Sequence, residues 1–511
     1  MWSSKFRENL ENKRKTVENA GGIERIEKQH AAGKLTARER IEFLFDEGSF
    51  VEVGTFVESR TNDFDSKKAL GDGVITGYGK INGRLAFASS QDFTIKGGTL
   101  GEYHSLKICR IMDMALEARA PYISINDSGG ARIEEGINSL DGYSGIFLRN
   151  TKASGVIPQI AVIMGPCAGG ACYSPAICDF VFMTKASLMF ITGPAVVEAV
   201  LGEKISASEL GGAEIHSEKS GVAHFVYEGD KECLNGVKEL LQYLPQNNKE
   251  TPAYMTTKTI DRCNEIENIV PEQQKKIYDV KQVINTFVDE GCWLEIQENY
   301  ATNIVIGLAR LDGEVIGIVA NQPYVLAGTL DINASDKAAR FVRFCDCFNI
   351  PILTLVDVTG YIPGKLYEEQ GIIRHGAKLL YAYSEATVPK VSLIMRKAFG
   401  GAYIAMNSKS MGADLVFAWP LARIAVMGAE GAVSIAYKKE IAKSDNPTET
   451  KARIVEEYEN KYMTPYFTAS RGFIDDVIEP EETRVKLSLA FEALKNKEKI
   501  SVRKKHGNIP L

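Results

Sequence analysis

The chain has 511 residues, of which 45% are hydrophobic and 25% are charged, and its formal net charge at pH 7 is -6. This composition is typical of a globular protein, and the length is enough for about two to four hydrophobic cores. The negative charge argues against nucleic acid as the main partner, and no apolar run reaches the roughly 20 residues that a membrane-spanning helix needs.

The N-terminal segment is charged and is predicted to be helical. Its first residues, MWSSKFRENLENKRK (1–15), lack the apolar centre of a secretory signal, so we expect a cytoplasmic protein. Thr36 is followed three residues later by Glu39, which is the pattern of a capping box at the start of an amphipathic helix.

Short apolar runs then alternate with longer amphipathic segments along the rest of the chain. Residues 101–120 and 335–350 have the length and periodicity of helices. Because the short runs are apolar throughout, they are typical of parallel strands covered on both faces, and the fold class is predicted to be α/β. These predicted strands are YISI (122–125), IAVIM (160–164), ILTLV (352–356) and VSLIM (391–395).

The motifs occur twice, in the same order. The second copy lies roughly 230 residues after the first throughout, which indicates two homologous halves of about 250 residues each. The paired segments are QDFTIKGGTLG (91–101) with NQPYVLAGTLD (321–331), APYISINDSGG (120–130) with IPILTLVDVTG (350–360), IPQIAVIMGPCAGGACY (157–173) with VPKVSLIMRKAFGGAYI (388–404), and CDFVFMTKASLMFITGP (178–194) with ADLVFAWPLARIAVMGA (413–429).

A polar, proline-containing stretch separates the two halves. It covers about residues 244–276 and has little hydrophobic periodicity, as is typical of a connecting segment. We therefore assign residues 1–255 to a first domain, 256–276 to a linker and 277–511 to a second domain.

Each half carries a glycine pair between a strand and a helix-like segment, Gly169-Gly170 and Gly400-Gly401. The start of a helix leaves main-chain N–H groups without partners, and the missing side chains let a ligand oxygen reach them. Such donors suit a thioester or amide oxygen that becomes an oxyanion, and each is typically worth about 2.7–4 kcal/mol. The alternative is close packing of helix against strand, which also requires small residues.

Several common catalytic motifs are missing from the sequence. The segment GYIPGK (360–365) is one residue short of a P-loop and lacks its Ser or Thr, and no HExxH or GxSxG motif occurs. Cys167, Cys172 and Cys178 form no CxxC pair, so we predict no metal site. We interpret the nine cysteines as reduced and mostly buried thiols.

The remaining polar candidates have a structural and a functional interpretation. Asp127 and Asp357 each end a predicted strand before a loop with glycine, so each either caps that loop or borders a site. We interpret four histidines, which have no evident Asp or Cys partner in the sequence, as structural: His104, His216, His224 and His375.

Five segments together resemble the carboxyltransferase subunits of biotin-dependent enzymes. The similarity extends from about residue 5 to the tail KKHGNIPL (504–511), and it is strongest to propionyl-CoA carboxylase β, methylmalonyl-CoA decarboxylase α and the large transcarboxylase subunit. The segments are INDSGGARIEEG (125–136), GVIPQIAVIMGPCAGGACYSPA (155–176), MFITGPAVVEAVLGEKISASELGGAEIHSEKSGVAH (189–224), DINASDKAARFVRFCDCFNIPIL (331–353) and GIIRHGAKLLYAYSEATVPKVSLIMRKAFGGAYIAM (371–406).

This resemblance implies two crotonase-like (ClpP/crotonase) domains in tandem, assembled as a hexamer with the site between halves of different chains. Gly169 and Gly170 match the pair that holds the oxygen of the acyl-CoA thioester, and Gly401 and Ala402 match the pair that holds the biotin ureido oxygen. Neighbouring residues are then expected to contact the substrates, namely Gly129, Gly130, Ala168, Phe399, Gly400 and Ile404.

The same resemblance defines the partners. The sequence has no biotinyl-lysine motif of the Ala-Met-Lys-Met kind, no ATP-binding glycine loop and no zinc ribbon. Biotin is therefore expected on a separate biotin carboxyl carrier protein. The other partner is a biotin carboxylase subunit or a membrane decarboxylase subunit, and in the second case the chain would be associated with the membrane through that subunit.

The expected reaction moves CO2 between carboxybiotin and a short acyl-CoA, with the propionyl-CoA/methylmalonyl-CoA pair favoured. Ile404 stands where propionyl-CoA carboxylases commonly have Asp, and this resembles the decarboxylase and transcarboxylase branch. The segment DVTGYIPGKLYEEQG (357–371) carries Lys365 in place of a small residue, so another short acyl-CoA stays open. Two further alternatives are a crotonase-like thioester hydrolase or isomerase that does not use biotin, and an assembly protein without activity.

Overall fold

The computed structural model describes residues 4–60, 69–499, 502 and 504–510. The chain divides into two compact units, Met1–Thr251 and Pro252–Leu511. The division falls a few residues before position 255, where the first domain was expected to end.

The first unit contains an α/β arrangement preceded by three helices. Its helices are α1 (Ser4–Glu18), α2 (Ile23–Ala31), α3 (Ala37–Leu44), α4 (Glu102–Ala118), α5 (Ile137–Ala153), α6 (Tyr173–Ile177), α7 (Pro194–Leu201), α8 (Ala207–Gly211) and α9 (Asp230–Tyr243). Its strands are β1 (Val51–Glu52), β2 (Val74–Ile81), β3 (Arg84–Gln91), β4 (Tyr122–Ser128), β5 (Gln159–Ala168), β6 (Phe180–Thr184), β7 (Leu188–Phe190) and β8 (Phe225–Tyr227).

The second unit repeats this arrangement and adds helices near the end of the chain. Its helices are α10 (Ile266–Ile269), α11 (Val280–Phe287), α12 (Ile332–Cys347), α13 (Lys365–Glu369), α14 (Ile372–Glu385), α15 (Gly400–Ala405), α16 (Ala429–Ala436), α17 (Lys438–Lys443), α18 (Pro447–Tyr462), α19 (Pro465–Ser470) and α20 (Thr483–Leu494). Its strands are β9 (Trp293–Ile296), β10 (Ile304–Leu311), β11 (Glu314–Asn321), β12 (Ile352–Val358), β13 (Lys390–Phe399), β14 (Leu415–Ala418), β15 (Arg423–Ala425) and β16 (Asp476–Val477).

The two sheets have the same topology. The first runs β1-β2-β3-β4-β5-β6-β8 with β7 paired to the end of β5, and the second runs β9-β10-β11-β12-β13-β14-β16 with β15 paired to the end of β13. In each, the first three strands are antiparallel and the rest are parallel. The prediction of two homologous α/β domains is therefore confirmed.

The central strands are buried on both faces, which explains their apolar composition. Every residue of β12 is buried, and Ile123 and Ile125 of β4 are fully buried. Parallel strands that are covered by helices on both sides need apolar side chains in both directions, so the period-two alternation of an exposed strand disappears. The glycine pairs follow the carboxyl ends of two of the central strands, β5 and β13.

The capping box that was predicted at the start of α3 is present. The Thr36 side chain accepts a hydrogen bond from the Glu39 N–H, and the Glu39 carboxylate accepts one from the Thr36 N–H. Helix α1, near the start of the chain, is mostly exposed and buries Val17.

The segment that was expected to be a linker, 256–276, packs into the second unit. Cys263, Ile266 and Val270 are buried in its hydrophobic core. The guanidinium of Arg396 on β13 also donates to the carbonyl oxygens of Pro271, Gln273 and Lys276. The segment is polar overall, but its few apolar residues are buried in the core and give it a fixed structure.

A buried lysine occupies the matching position of α4 and α12. Lys107 donates to the carbonyl oxygens of Gly71 and Val74, and Lys337 donates to those of Gln297, Tyr300 and Ile304. Helix α4 thereby holds the loop that leads into β2, and helix α12 holds the loop that leads into β10.

The nine cysteines lie within the described residues, and eight of them are buried while Cys347 is half-buried. In the part of the chain that the structure describes, no three His, Cys, Asp or Glu side chains are grouped so that they could bind a metal ion. None of the described helices combines the length and the apolar character required to cross a membrane.

Candidate active site

Strands β5 and β13 end in the same sharp turn. β5 runs to Ala168 and is followed by Gly169 with φ of 64°, and β13 runs to Phe399 and is followed by Gly400 with φ of 62°. A positive φ of this size is unfavourable for residues with a Cβ, so both positions favour glycine for conformational reasons. A short 3-10 turn, Gly169–Cys172, follows in the first unit, and α15 follows in the second.

The second glycine of each pair has a different environment. A Cβ on Gly170 would lie 3.1 Å from the ring of Tyr143, whereas a Cβ on Gly401 would have no heavy atom within 4 Å. Gly401 is exposed and has no positive φ. Close packing therefore accounts for a small residue at 170, but neither packing nor conformation accounts for glycine at 401.

The main-chain N–H groups at both turns begin a helical segment. Ala168 and Phe399 precede the turns in extended conformation, and no side chain caps either helical segment. The first N–H groups of a helical turn have no acceptor within it, so they are oriented to donate outward. Gly169 and Gly170 are half-buried, and Ala402, directly after the exposed Gly401, is buried.

The loop after β4 lies against the first turn. Gly130 has φ of 103°, and a Cβ there would lie 3.0 Å from the carbonyl oxygen of Ala168. The Gly129 N–H donates to the carbonyl oxygen of Gly97 at 3.0 Å. The structure thus brings Gly130 together with the strand end that precedes Gly169.

In the second unit the expected residues lie close together in the chain, and all of them except Ala402 are at least partly exposed. Phe399 and Gly400 are half-buried, and Ile404, one turn into α15, is 44% exposed. A Cβ on Gly400 would lie 3.1 Å from the carbonyl oxygen of Val426, which follows β15. The exposed apolar side chain of Ile404 is available to contact a ligand that approaches the start of α15.

Tyr143 supports the first turn and was not among the residues predicted from the sequence. Tyr143 is buried on α5, its ring fills the space where a Cβ on Gly170 would lie, and it stacks on Phe147 with ring centroids 6.0 Å apart. Phe147 in turn packs edge-on against Tyr173 at 6.0 Å. The spacing of Tyr143 and Phe147, four residues apart on one helix face, is a signal of such a pair but does not identify its target.

Asp127 and Asp357 are fully buried and hold ion pairs, so neither lies free at the edge of a site. Asp127 binds Lys34 at 2.6 Å and Arg40 at 3.0 Å, and Asp357 binds the Arg396 Nε at 2.8 Å. Because both carboxylates are fully buried, neither has an exposed oxygen with which to reach a substrate. Through these ion pairs, each Asp links the end of its strand, β4 or β12, to basic residues of neighbouring segments.

The four histidines singled out from the sequence each form a hydrogen bond or an ion pair with another residue of the fold. His104 is buried and donates its main-chain N–H to Asp72, and burial holds the pKa of its imidazole well below the usual range. His216 bonds the carbonyl oxygen of Met189, and His224 accepts from the N–H of Val181. His375, for which the sequence shows no evident partner, is held in the fold by Asp336 on α12, which lies 2.8 Å from its Nδ1.

Residues 28–509 match the carboxyl transferase domain family. The chain belongs to this family. The family that the motifs indicated is therefore confirmed.

Carboxyl transferase relatives match the chain over nearly its full length. The carboxyltransferase subunit of propionyl-CoA carboxylase from Haloferax mediterranei is 54% identical over 507 residues, 98% of each chain. Subunit alpha of methylmalonyl-CoA decarboxylase from Propionigenium modestum is 51% identical and covers 99% of this chain and 98% of its own. The names of these two relatives describe reactions in opposite directions.

A solved structure in the carboxyl transferase family has the same fold. Transcarboxylase 12S, described as a hexamer with methylmalonyl-coenzyme A and methylmalonic acid bound, superposes with a TM-score of 0.97 at 51% identity. The match covers 100% of this chain and 99% of that one. The expected pair of crotonase-like domains is therefore confirmed.

Proposed function

We propose that this chain is a carboxyltransferase that moves CO2 between carboxybiotin and a short-chain acyl-CoA. The acyl-CoA side is assigned to the first unit and the biotin side to the second. The methylmalonyl-CoA/propionyl-CoA pair is the favoured substrate, because it is named for the propionyl-CoA carboxylase, the methylmalonyl-CoA decarboxylase and the transcarboxylase that the chain resembles.

The observation that carries this proposal is the pair of matching turns after β5 and β13. Each has a glycine with φ near +60°, at 169 and at 400, followed by a helical segment that no side chain caps. The reaction needs two oxyanions to be stabilised, one on the thioester and one on the ureido ring. Two such turns in one duplicated chain provide two sites of main-chain donors.

On the acyl-CoA side, the N–H groups of Gly169 and Gly170 hold the thioester oxygen as it becomes an enolate. Gly129 and Gly130 position the end of β5, since Gly130 packs against the carbonyl of Ala168. The Tyr143 ring supports Gly170 from behind. A donor fixed by the fold does not need to reorganise when charge develops, which is the source of its catalytic effect.

On the biotin side, the N–H groups of Gly401 and Ala402 hold the ureido oxygen. Biotin, when it is bound, supplies the nitrogen that carries the carboxyl group. The space beside Gly401 fits this role, because no protein atom lies within 4 Å of the position of a Cβ. Phe399, Gly400 and Ile404 border that space along the chain and are expected to contact the ligands.

Proton transfer in this proposal needs no side-chain base. The α-carbon of the acyl-CoA and the biotin nitrogen exchange a proton and CO2 directly when both are held close together. A thioester hydrolase or isomerase would instead need a carboxylate or imidazole beside the first turn. Asp127 does not suit that role, because Lys34 and Arg40 hold its carboxylate.

Biotin is proposed to arrive on a separate biotin carboxyl carrier protein. A biotin carboxylase subunit or a membrane decarboxylase subunit would be the other partner. A hexamer is the proposed assembly, by similarity to transcarboxylase 12S. In that assembly the acyl-CoA side of one chain would face the biotin side of another.

Incubation of the purified chain with methylmalonyl-CoA and free biotin tests the proposal. Formation of propionyl-CoA that depends on biotin is expected. Turnover without biotin would favour the hydrolase alternative, and turnover of other malonyl-type thioesters but not of methylmalonyl-CoA would exclude the proposed substrate.

A further inference from the structure

Lys397, near the end of β13, is a buried cation whose side chain has no hydrogen-bonded partner. The residue is 7% exposed. Its Nζ lies 3.9 Å from the Oδ1 of Asp357, which is beyond hydrogen-bond distance, and the described part of the chain offers this ammonium no other acceptor. Two other buried lysines differ, because Lys107 and Lys337 donate to main-chain carbonyl oxygens. The ammonium of Lys397 is therefore able to bind a group that these residues do not supply.

The cluster around Lys397 also has an excess of positive charge. Within the described residues, Arg396 and Lys397 form their ion pairs with Asp357 alone. The carboxylate of Asp357 already accepts from the Arg396 Nε, the Tyr278 hydroxyl and the main-chain N–H of Lys397. The Nη2 of Arg396 is buried and has no partner among the described residues. Because a buried charge without a partner is unfavourable, this pair of cations with a single carboxylate is suited to bind an anion.

The corresponding cluster of the first unit is balanced in charge. Strand β5 has no charged residue at the matching positions, 165–166. The cations there are Lys34 and Arg40, and both pair with Asp127. Arg40 also pairs with Asp230, so a second carboxylate balances the second cation. The excess positive charge is therefore a feature of the second unit.

The loops that follow β12 and β13 border open space in the second unit. A Cβ on Gly360 or on Gly401 would have no heavy atom within 4 Å. The matching positions of the first unit are filled, because a Cβ on Gly130 would lie 3.0 Å from a carbonyl oxygen and a Cβ on Gly170 would lie 3.1 Å from an aromatic ring. Room for a ligand and an excess of positive charge therefore occur at the ends of the same two strands.

We propose that Lys397 binds the carboxylate of carboxybiotin at the second turn. This inference rests on the proposed function, which assigns biotin to that turn. Carboxybiotin differs from biotin by a carboxylate, and therefore by a negative charge at neutral pH. An ammonium that has no partner in the unliganded protein favours the carboxylated form, because hydrogen bonds between two charged groups are among the strong ones. Lys397 thereby makes the second unit selective for the loaded carrier protein over the unloaded one.

Thermal unfolding tests whether the ammonium of Lys397 contributes to the fold. Lys397→Met keeps the length of the side chain and the main-chain N–H that binds Asp357, so its midpoint should equal or exceed that of wild type. Lys337→Met is the matched control and should have a lower midpoint, because it removes the donor of three carbonyl oxygens. A similar fall of the midpoint in both variants would overturn the proposal, since it would show that the ammonium of Lys397 is needed for folding.

Equilibrium binding to the full chain, without acyl-CoA, tests the ligand. The probes are the amide of biotin and its freshly prepared N-carboxylated form, because free biotin has a carboxylate of its own. In Lys397→Met the dissociation constant of the carboxylated amide should rise at least about tenfold, as expected when a charged group loses its hydrogen-bonding partner, and that of the amide should stay unchanged. Lys397→Arg should keep most of the preference for the carboxylated form. Lys438→Met, at an exposed lysine of α17, should bind both probes as wild type does.

Two binding results would overturn the inference, namely equal affinity of wild type and Lys397→Met for the carboxylated amide, and an equal loss of affinity for both probes in the variant. If the wild-type protein forms no propionyl-CoA from methylmalonyl-CoA and biotin, the proposed function fails instead. The two failures are distinguishable, because the binding measurement involves neither acyl-CoA nor turnover.

Discussion

The main-chain N–H of Lys397 donates to the Oδ1 of Asp357 at 3.1 Å in the second unit. In the first unit the matching residues are Pro166 and Asp127, and because proline has no N–H, the Oδ1 of Asp127 is buried without a partner. Arg40 and Lys34 compensate by binding the other oxygen of this carboxylate. The carboxylate oxygen at this strand end therefore has a main-chain donor from the neighbouring strand in the second unit, whereas in the first unit the N-terminal segment binds the other oxygen instead.

Pro166→Ala should stabilise the first unit by about 1 kcal/mol. A hydrogen bond to a buried charged group is worth about 1.5–3 kcal/mol, and the loss of proline rigidity costs about 0.4–1 kcal/mol. The midpoint of thermal unfolding measures the effect. Pro194→Ala, at the start of α7, is the matched control and should not raise the midpoint; an equal rise in both variants would contradict the assignment.

Lys337→Met should destabilise the second unit by at least about 3 kcal/mol. The substitution leaves three carbonyl oxygens without their donor, and each unsatisfied buried group costs about 1–3 kcal/mol. Denaturant unfolding measures the change. Lys365→Met, whose side chain is exposed, should change stability by less than about 0.5 kcal/mol.

The contribution of Lys337 should depend on pH. Burial lowers the pKa of Lys337 from 10.5 to about 7, so the unfolded chain binds more protons than the folded protein between these values. Stability contributed by this residue therefore rises with pH in that window, by up to about 1.4 kcal/mol per unit. The difference in unfolding free energy between wild type and Lys337→Met should grow from pH 7 to pH 9. A difference that shrinks would show that the ammonium form is the favoured one.

Gly170→Ala should lower both stability and turnover, because its Cβ would press on the Tyr143 ring at 3.1 Å. A contact of this kind typically costs about 1–3 kcal/mol. Tyr143→Leu in the same chain should recover part of the thermal midpoint by making room. Recovery of the midpoint without recovery of turnover would show that the N–H geometry, and not packing alone, limits the reaction.

Local patterns in the sequence were enough to predict much of the fold. Thr36 and Glu39 predicted the start of α3 because a capping box involves only neighbouring residues. The doubled motifs predicted two domains, and the glycine pairs predicted the turns at 169 and 400. These features depend on the order of residues and on residue types with known backbone preferences, and both can be read from the sequence.

Contacts between distant residues could not be predicted in this way. Arg40 forms ion pairs with both Asp127 and Asp230, which are far apart in the chain. Tyr143 on α5 packs against the turn at Gly170. Both pairings are set by how the helices pack on the sheet. Residues 256–276 were misinterpreted because their few core positions, such as Ile266, lie in a polar segment.

The Gly401→Ala variant tests the biotin site most directly. This Cβ meets no protein atom and the residue has no positive φ, so the thermal midpoint should stay that of wild type. The added methyl group would occupy the open space through which the ureido oxygen reaches the N–H groups. Biotin-dependent formation of propionyl-CoA from methylmalonyl-CoA should therefore fall at least about tenfold, since an oxyanion donor that the ligand can no longer reach is worth about a hundredfold. Gly431→Ala, at an exposed glycine of α16, is the matched control and should keep its rate. Equal rates in Gly401→Ala and wild type would contradict the assignment of the second turn to biotin.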